Sequence, residues 1–187
     1  MKISSRAGRI EPFYVMEVAK AASAMARELA HTDAPMIFLN IGEPDFTAPP
    51  QVQEAAVRSI HDGATQYTQA TGLLTLRERI SGWYATRFGV DIPASRIVVT
   101  AGASAALQLA CLALIDAGDE ILMPDPSYPC NRHFVSATGA TPRLLPANSA
   151  ARFQLDAASV AAHWGPATRG VLLALSLIHI SEPTRPY

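Results

Sequence analysis

The chain has 187 residues, with Lys+Arg 15 against Asp+Glu 16, a net charge of -1, and 49% hydrophobic residues. Balanced charge argues against a non-specific nucleic-acid binder, which would be strongly basic, and the hydrophobic share argues against disorder. A chain of this length buries roughly 70% of its unfolded surface on folding, and no run approaches the ~18 apolar residues of a membrane span.

Apolar residues at helical spacing (Val15, Val18, Ala22, Met25, Ala26, Leu29) predict a helix over 13–31. Met36 to Ile41 reads as a short strand, followed by the tight turn Gly42-Glu43-Pro44-Asp45-Phe46. Pro49-Pro50 suits the first turn of a helix over 50–62, with Gly63 as its cap. A polar, aromatic loop over 65–72 leads to a helix from Leu73 to Phe88, capped by Gly89. Arg96 to Thr100 reads as a strand, Ala103 to Ile115 as a strongly apolar helix closed by Gly118, and Asp119 to Met123 as a strand. A helix over 129–138 ended by Gly139, a strand over 141–145, a helix over 155–163 and a strand over 169–174 complete the pattern. This alternation predicts an α/β fold with mainly parallel strands and flanking helices.

Cys111 and Cys130 have no metal-pair spacing and fit a reduced, cytoplasmic protein. His31, His61, His133, His163 and His179 never stand three or four apart, so no helical metal site is expected. The first six residues lack the apolar segment of a secretory signal.

Four segments could carry chemistry. At Thr100-Ala101-Gly102-Ala103-Ser104 a strand turns through glycine into a helix, where free N–H groups and the helix dipole favour an anion; Ser104 could equally be an ordinary N-cap. Tyr128, in Asp125-Pro126-Ser127-Tyr128-Pro129, follows the next strand and could stack on a planar ring or simply pack in its turn. The Tyr67 hydroxyl could meet a phosphate or pack on the surface, and the Gly42 turn could offer amides to a carboxylate or be a plain turn.

In this order the segments resemble class I/II aminotransferases, the fold type I enzymes that use pyridoxal 5′-phosphate. The resemblance runs over about residues 10–174. Pro12-Phe13-Tyr14-Val15-Met16-Glu17-Val18 is similar to the family's entry helix, Ile41 to Phe46 to its substrate-side turn, and Tyr67 to Gly72 with Leu76-Arg77 to its inter-subunit loop. Val99 to Ser104 and Asp125 to Pro129 are similar to its phosphate turn and ring-stacking loop. The resemblance implies that Gly102, Ala103 and Ser104 hold the cofactor phosphate, that Tyr128 stacks on the ring, and that Gly42 meets the substrate carboxylate. Tyr67 would reach the cofactor of the other subunit of a homodimer. The implied division is an N-terminal arm and small-domain segment over 1–47, and a truncated cofactor-binding large domain over 48–174. The implied reaction moves an amino group between an amino acid and a 2-oxo acid.

The only lysines are Lys2 and Lys20, and neither matches the family's Schiff-base lysine. No catalytic residue is therefore assigned, and the chain as it stands is expected to be inactive and poorly soluble. Its last thirteen residues, Leu175 to Tyr187, resemble the conceptual translation of a sequencing-library adapter, which makes 175–187 a non-native tail. Other readings are a C–S lyase or decarboxylase of the same fold, or a serine hydrolase. Gly102-Ala103-Ser104-Ala105-Ala106 approaches a Gly-x-Ser-x-Gly elbow, with Asp156 and His163 downstream. The hydrolase leaves Gly42, Tyr67 and Tyr128 without a role. A regulator fused to a helix-turn-helix is not expected, since the resemblance starts within a dozen residues of Met1.

Overall fold

A computed structural model describes residues 2–5, 7–42 and 46–173. The helices are α1 (Tyr14–Leu29), α2 (Pro50–His61), α3 (Leu74–Phe88), α4 (Gly102–Leu114), α5 (Pro129–Thr138) and α6 (Ala157–His163); the strands are β1 (Glu120–Asp125), β2 (Thr141–Pro146) and β3 (Thr168–Val171). The chain divides into two compact units. One takes the chain up to Ala21 and again from Ser104 onward; the other is Ala22–Ala103.

The first unit is built on a parallel sheet in the order β2-β1-β3. β1 lies at its centre because its residues are apolar on both faces, as a covered parallel strand requires. Ile121 and Met123 pack with Cys111 of α4, Val135 of α5 and Ala140 in the main core cluster. Leu122 alternates to the other face and is fully buried, as is Leu145 of β2. One carboxylate ties the strands together at their start. Glu120 Oε1 accepts from Arg143 Nη1 of β2 at 3.1 Å and from Thr168 Oγ1 of β3 at 3.2 Å. The Arg143 guanidinium also donates to the His163 carbonyl at the end of α6.

Local rules explain the helix ends. Pro129 opens α5, where its missing N–H costs nothing, and Gly139 closes it at φ 95. Asp156 caps α6 by accepting from Ser159 N, so α6 begins two residues after Leu155. Gly118, at φ 96, stands four residues past the end of α4 and is a turn residue rather than its cap. α4 leaves Leu109, Leu112 and Leu114 more than half exposed. Beside it, α4 and β3 border an apolar cavity of 480 Å³.

The second unit carries α2, α3 and the chain running into α4. Gly89 ends α3 in the left-handed region, as expected. The cap of α2 is Asp62, with Gly63 one residue beyond at φ 68. Trp83, Tyr84 and Phe88 cluster along α3 with ring centroids 5.0 to 5.6 Å apart.

Two expected strands do not form. Residues 36–41 and 97–100 have no regular secondary structure. The first is mostly apolar and the second β-branched throughout, but such a segment becomes a strand only when a neighbour takes its N–H and C=O groups. No described residue pairs with 36–41 in a ladder, and Ile37 and Leu39 are 75% and 90% exposed. In 97–100 a single bond, from Val99 N to the Thr71 carbonyl at 3.0 Å, links the segment to the loop over 65–72. The expected strand over 169–174 forms as Thr168–Val171, while its last residue, Ala174, and the whole tail over 175–187 lie outside the described residues.

Candidate functional site

The turn into α4 is built by Gly102. Its φ of 81 suits glycine, and no atom stands within 4 Å of the position a Cβ would occupy. The helix starts at Gly102, so Ser104 is a first-turn residue and not the N-cap. The amides of Ala103 and Ser104 therefore have no acceptor within the helix, and both residues are exposed. Thr100 Oγ1 donates to the Gly102 carbonyl at 2.9 Å and so steadies the turn without occupying its amides.

Tyr128 is the N-cap residue of α5, three residues past the end of β1. Its ring is half exposed, and the edge of Phe13 braces it at a centroid distance of 6.1 Å and an interplanar angle of 61°. Desolvation and then the neighbouring Cys130 thiol push its phenol above the usual value of 10.0. Phe13, Tyr14, Pro129, Arg132 and His133 line a cavity of 220 Å³ next to it. Arg132 also pairs with Asp125 at 3.8 Å.

Ser104 and Tyr128 belong to the first unit; Gly42, Tyr67, Gly102 and Ala103 belong to the second. Tyr67 is fully exposed on its loop. Gly42 is exposed with open space around it, and the residues that complete its turn, Glu43, Pro44 and Asp45, lie outside the described ones. No group of three His, Cys, Asp or Glu side chains among the described residues could hold a metal.

Three residues quoted from the sequence had no role of their own assigned there. Ser127 Oγ and His133 Nδ1 are buried with no hydrogen-bond partner among the described residues; both lie within five residues of Tyr128, which was the available signal. Arg77 is buried and donates to three acceptors; its place beside a polar loop was visible, its burial was not. Among the described residues no hydrogen bond joins Ser104, Asp156 and His163, the residues of the hydrolase reading. Asp156 is engaged as the cap of α6, and His163 Nδ1 lies 2.8 Å from the Ser159 carbonyl, a contact that holds it as a local donor.

A family model for aminotransferase class I and II matches residues 34–176. The valine–pyruvate aminotransferase of Mycobacterium tuberculosis is 37% identical over 173 residues, which is 92% of this chain and 43% of that protein. The (5-formylfuran-3-yl)methyl phosphate transaminase of Methanocaldococcus jannaschii is 38% identical over 140 residues, 75% of this chain and 37% of that protein. Among solved structures, an aminotransferase from Mycobacterium tuberculosis superposes with a TM-score of 0.82 at 37% identity, and the aspartate aminotransferase of Rhizobium meliloti with 0.81 at 32%. Each superposition covers 91% of this chain and 43% or 42% of the solved one. The chain thus spans about two fifths of the length of the curated relatives it matches.

Proposed function

The chain belongs to the aminotransferase class I and II family, and from that premise we propose that it supplies the phosphate- and ring-binding part of a pyridoxal 5′-phosphate site. In the whole protein that site transfers an amino group between an amino acid and a 2-oxo acid. The observation that carries this reading is the turn into α4, where Gly102 leaves the approach open and two first-turn amides have no acceptor within the helix. A phosphate fits there because N–H groups and the positive end of a 13-residue helix both favour an anion. The half-exposed, edge-braced ring of Tyr128 fits a planar heterocycle.

When bound, the cofactor supplies an electron sink that stabilises charge developing at the substrate Cα. The chain's own residues bind and orient it. Ala103 and Ser104 donate backbone N–H groups to the phosphate, and the Ser104 hydroxyl adds a donor. Tyr128 covers one ring face and keeps water from it. Gly42 offers its amide to the substrate carboxylate. Tyr67, fully exposed in its own chain, donates its hydroxyl to the phosphate held by a second subunit, which makes the working protein a homodimer. The division at residue 47 into an arm with small-domain segment and a large domain belongs to the same reading. So does the tail over 175–187 as non-native sequence. No lysine follows Lys20, so the 187-residue chain lacks the family's Schiff-base lysine and is inactive alone.

The test is amino-group exchange between amino acids and 2-oxo acids by a protein extended to the relatives' length, with pyridoxal phosphate added. Exchange supports the proposal. Cofactor binding with elimination or decarboxylation instead would reassign the reaction within the fold. Labelling of Ser104 by a fluorophosphonate would favour hydrolysis.

A further inference from the structure

Arg77 is the one charged side chain buried among the described residues, at 9% exposure. Among the described residues no carboxylate pairs with it. Its three nitrogens meet three neutral acceptors: Nε donates to the Gly72 carbonyl at 3.2 Å, Nη1 to the Ala94 carbonyl at 3.0 Å and Nη2 to Gln69 Oε1 at 2.9 Å. Two of these acceptors lie in the loop over 65–72 that carries Tyr67. The third lies in the short turn (Ala94–Arg96) just before the segment over 97–100.

A second set of contacts joins the same two stretches. Val99 N donates to the Thr71 carbonyl at 3.0 Å. Gly72 lies so close to Val99 that a Cβ on it would stand 2.7 Å from the valine Cβ. Val99 precedes Gly102 by three residues. The loop of Tyr67, the first turn of α3 and the run into the α4 turn are therefore pinned to one another inside one unit.

We propose that Arg77 is a positioning residue for the cofactor site. Its guanidinium locks the Tyr67 loop to the strand-like segment that sets the turn at Gly102, so that one side chain fixes both parts of the chain that address a phosphate. The inference rests on the proposed function for its cofactor, while the clamp itself rests on the contacts above. The chemistry demands arginine. Its planar fork meets three divergent acceptors at once, whereas a lysine ammonium on the same stem is a point donor that cannot span them.

The test compares the unaltered 187-residue chain with Arg77→Lys, Arg77→Gln and Gln69→Ala, the last being an exposed residue whose loss leaves the α3 backbone intact. Amide hydrogen exchange reads the clamp, and titration with pyridoxal 5′-phosphate and with inorganic phosphate reads the site. The expected result is about tenfold faster exchange at Val99 and Gly72 in both Arg77 variants, with Gly89, bonded to the Ala85 carbonyl, unchanged as the control. Affinity for both phosphates falls by about tenfold in parallel, and Gln69→Ala gives the same pattern at smaller size. A Lys variant equal to the unaltered chain would mean that charge alone matters and would overturn the proposal. So would a loosened loop with unchanged phosphate affinity, or unchanged exchange in all variants. If the unaltered chain binds neither phosphate, the proposed function falls and takes the positioning role with it, while the exchange data still decide the clamp.

Discussion

Replacing Gly72 by alanine tests how the second unit is held together. Two costs act at once. At φ 94 an L side chain is strained, by roughly 1–2 kcal/mol. The new Cβ would also stand 2.7 Å from both Cβ and Cγ2 of Val99, and overpacking of that kind costs about 1–3 kcal/mol. Alanine offsets a few tenths to about 1 kcal/mol by reducing the freedom of the unfolded chain. The expected net loss is about 2–4 kcal/mol. Gly63→Ala is the matched control: its φ is 68 and nothing lies within 4 Å of its Cβ position, so it carries the strain without the collision and loses about 1 kcal/mol. Urea unfolding followed by the fluorescence of Trp83, which lies on α3 in the same unit, measures both. With a slope of ~1–2 kcal/mol per molar urea, the two midpoints should differ by about 0.5–3 M. Coincident midpoints would refute the close approach of Gly72 to Val99.

Three further outcomes follow from the described contacts. Leu122→Ala, at a fully buried position in the central strand, should cost about 2–5 kcal/mol, read by the fluorescence of Trp164 in the first unit; a loss under ~1 kcal/mol would show that this sheet face is not packed. Burial pushes the Cys111 thiol above its usual 9.0, so the folded chain keeps a proton that the unfolded chain releases; stability should fall as pH rises from about 9 towards the raised folded value, and Cys111→Ala should flatten that part of a denaturation-against-pH series. Ser104→Asp should raise the thermal midpoint slightly, because a carboxylate in a helix's first turn stabilises it by about 0.3–1 kcal/mol, yet weaken pyridoxal phosphate binding by like-charge repulsion; a rise in both quantities would argue against a phosphate at that turn.

Helices were legible because their signals are local. Pro129 and Gly139 bracket α5 at its observed limits, and Gly89 ends α3 where a left-handed residue was needed. β1 was legible as an apolar run between those helices, and β2 and β3 from their place in the strand–helix alternation. The runs over 36–41 and 97–100 carry the same signal and are not strands, since pairing depends on a partner that composition does not reveal. The strand order β2-β1-β3 was likewise beyond a single sequence, although the apolar character of Ile121, Leu122 and Met123 marks a strand covered on both faces. At the candidate site, glycine at the α4 turn was readable from Gly102 alone. The Phe13 edge behind Tyr128, the unpartnered Ser127 hydroxyl and the three-way clamp of Arg77 were not. Each joins residues far apart in the chain or depends on burial, which spacing does not encode.

As proposed, this chain recognises a phosphate on a planar ring. Parallel titrations with pyridoxal 5′-phosphate and with pyridoxal, which lacks the phosphate, test it most directly, read by absorbance and by competition with inorganic phosphate. The phosphate ester should bind at least tenfold more tightly, a difference of about 1.4 kcal/mol, and inorganic phosphate should displace it. Equal affinity for the two compounds, or binding that phosphate does not compete away, would contradict the account.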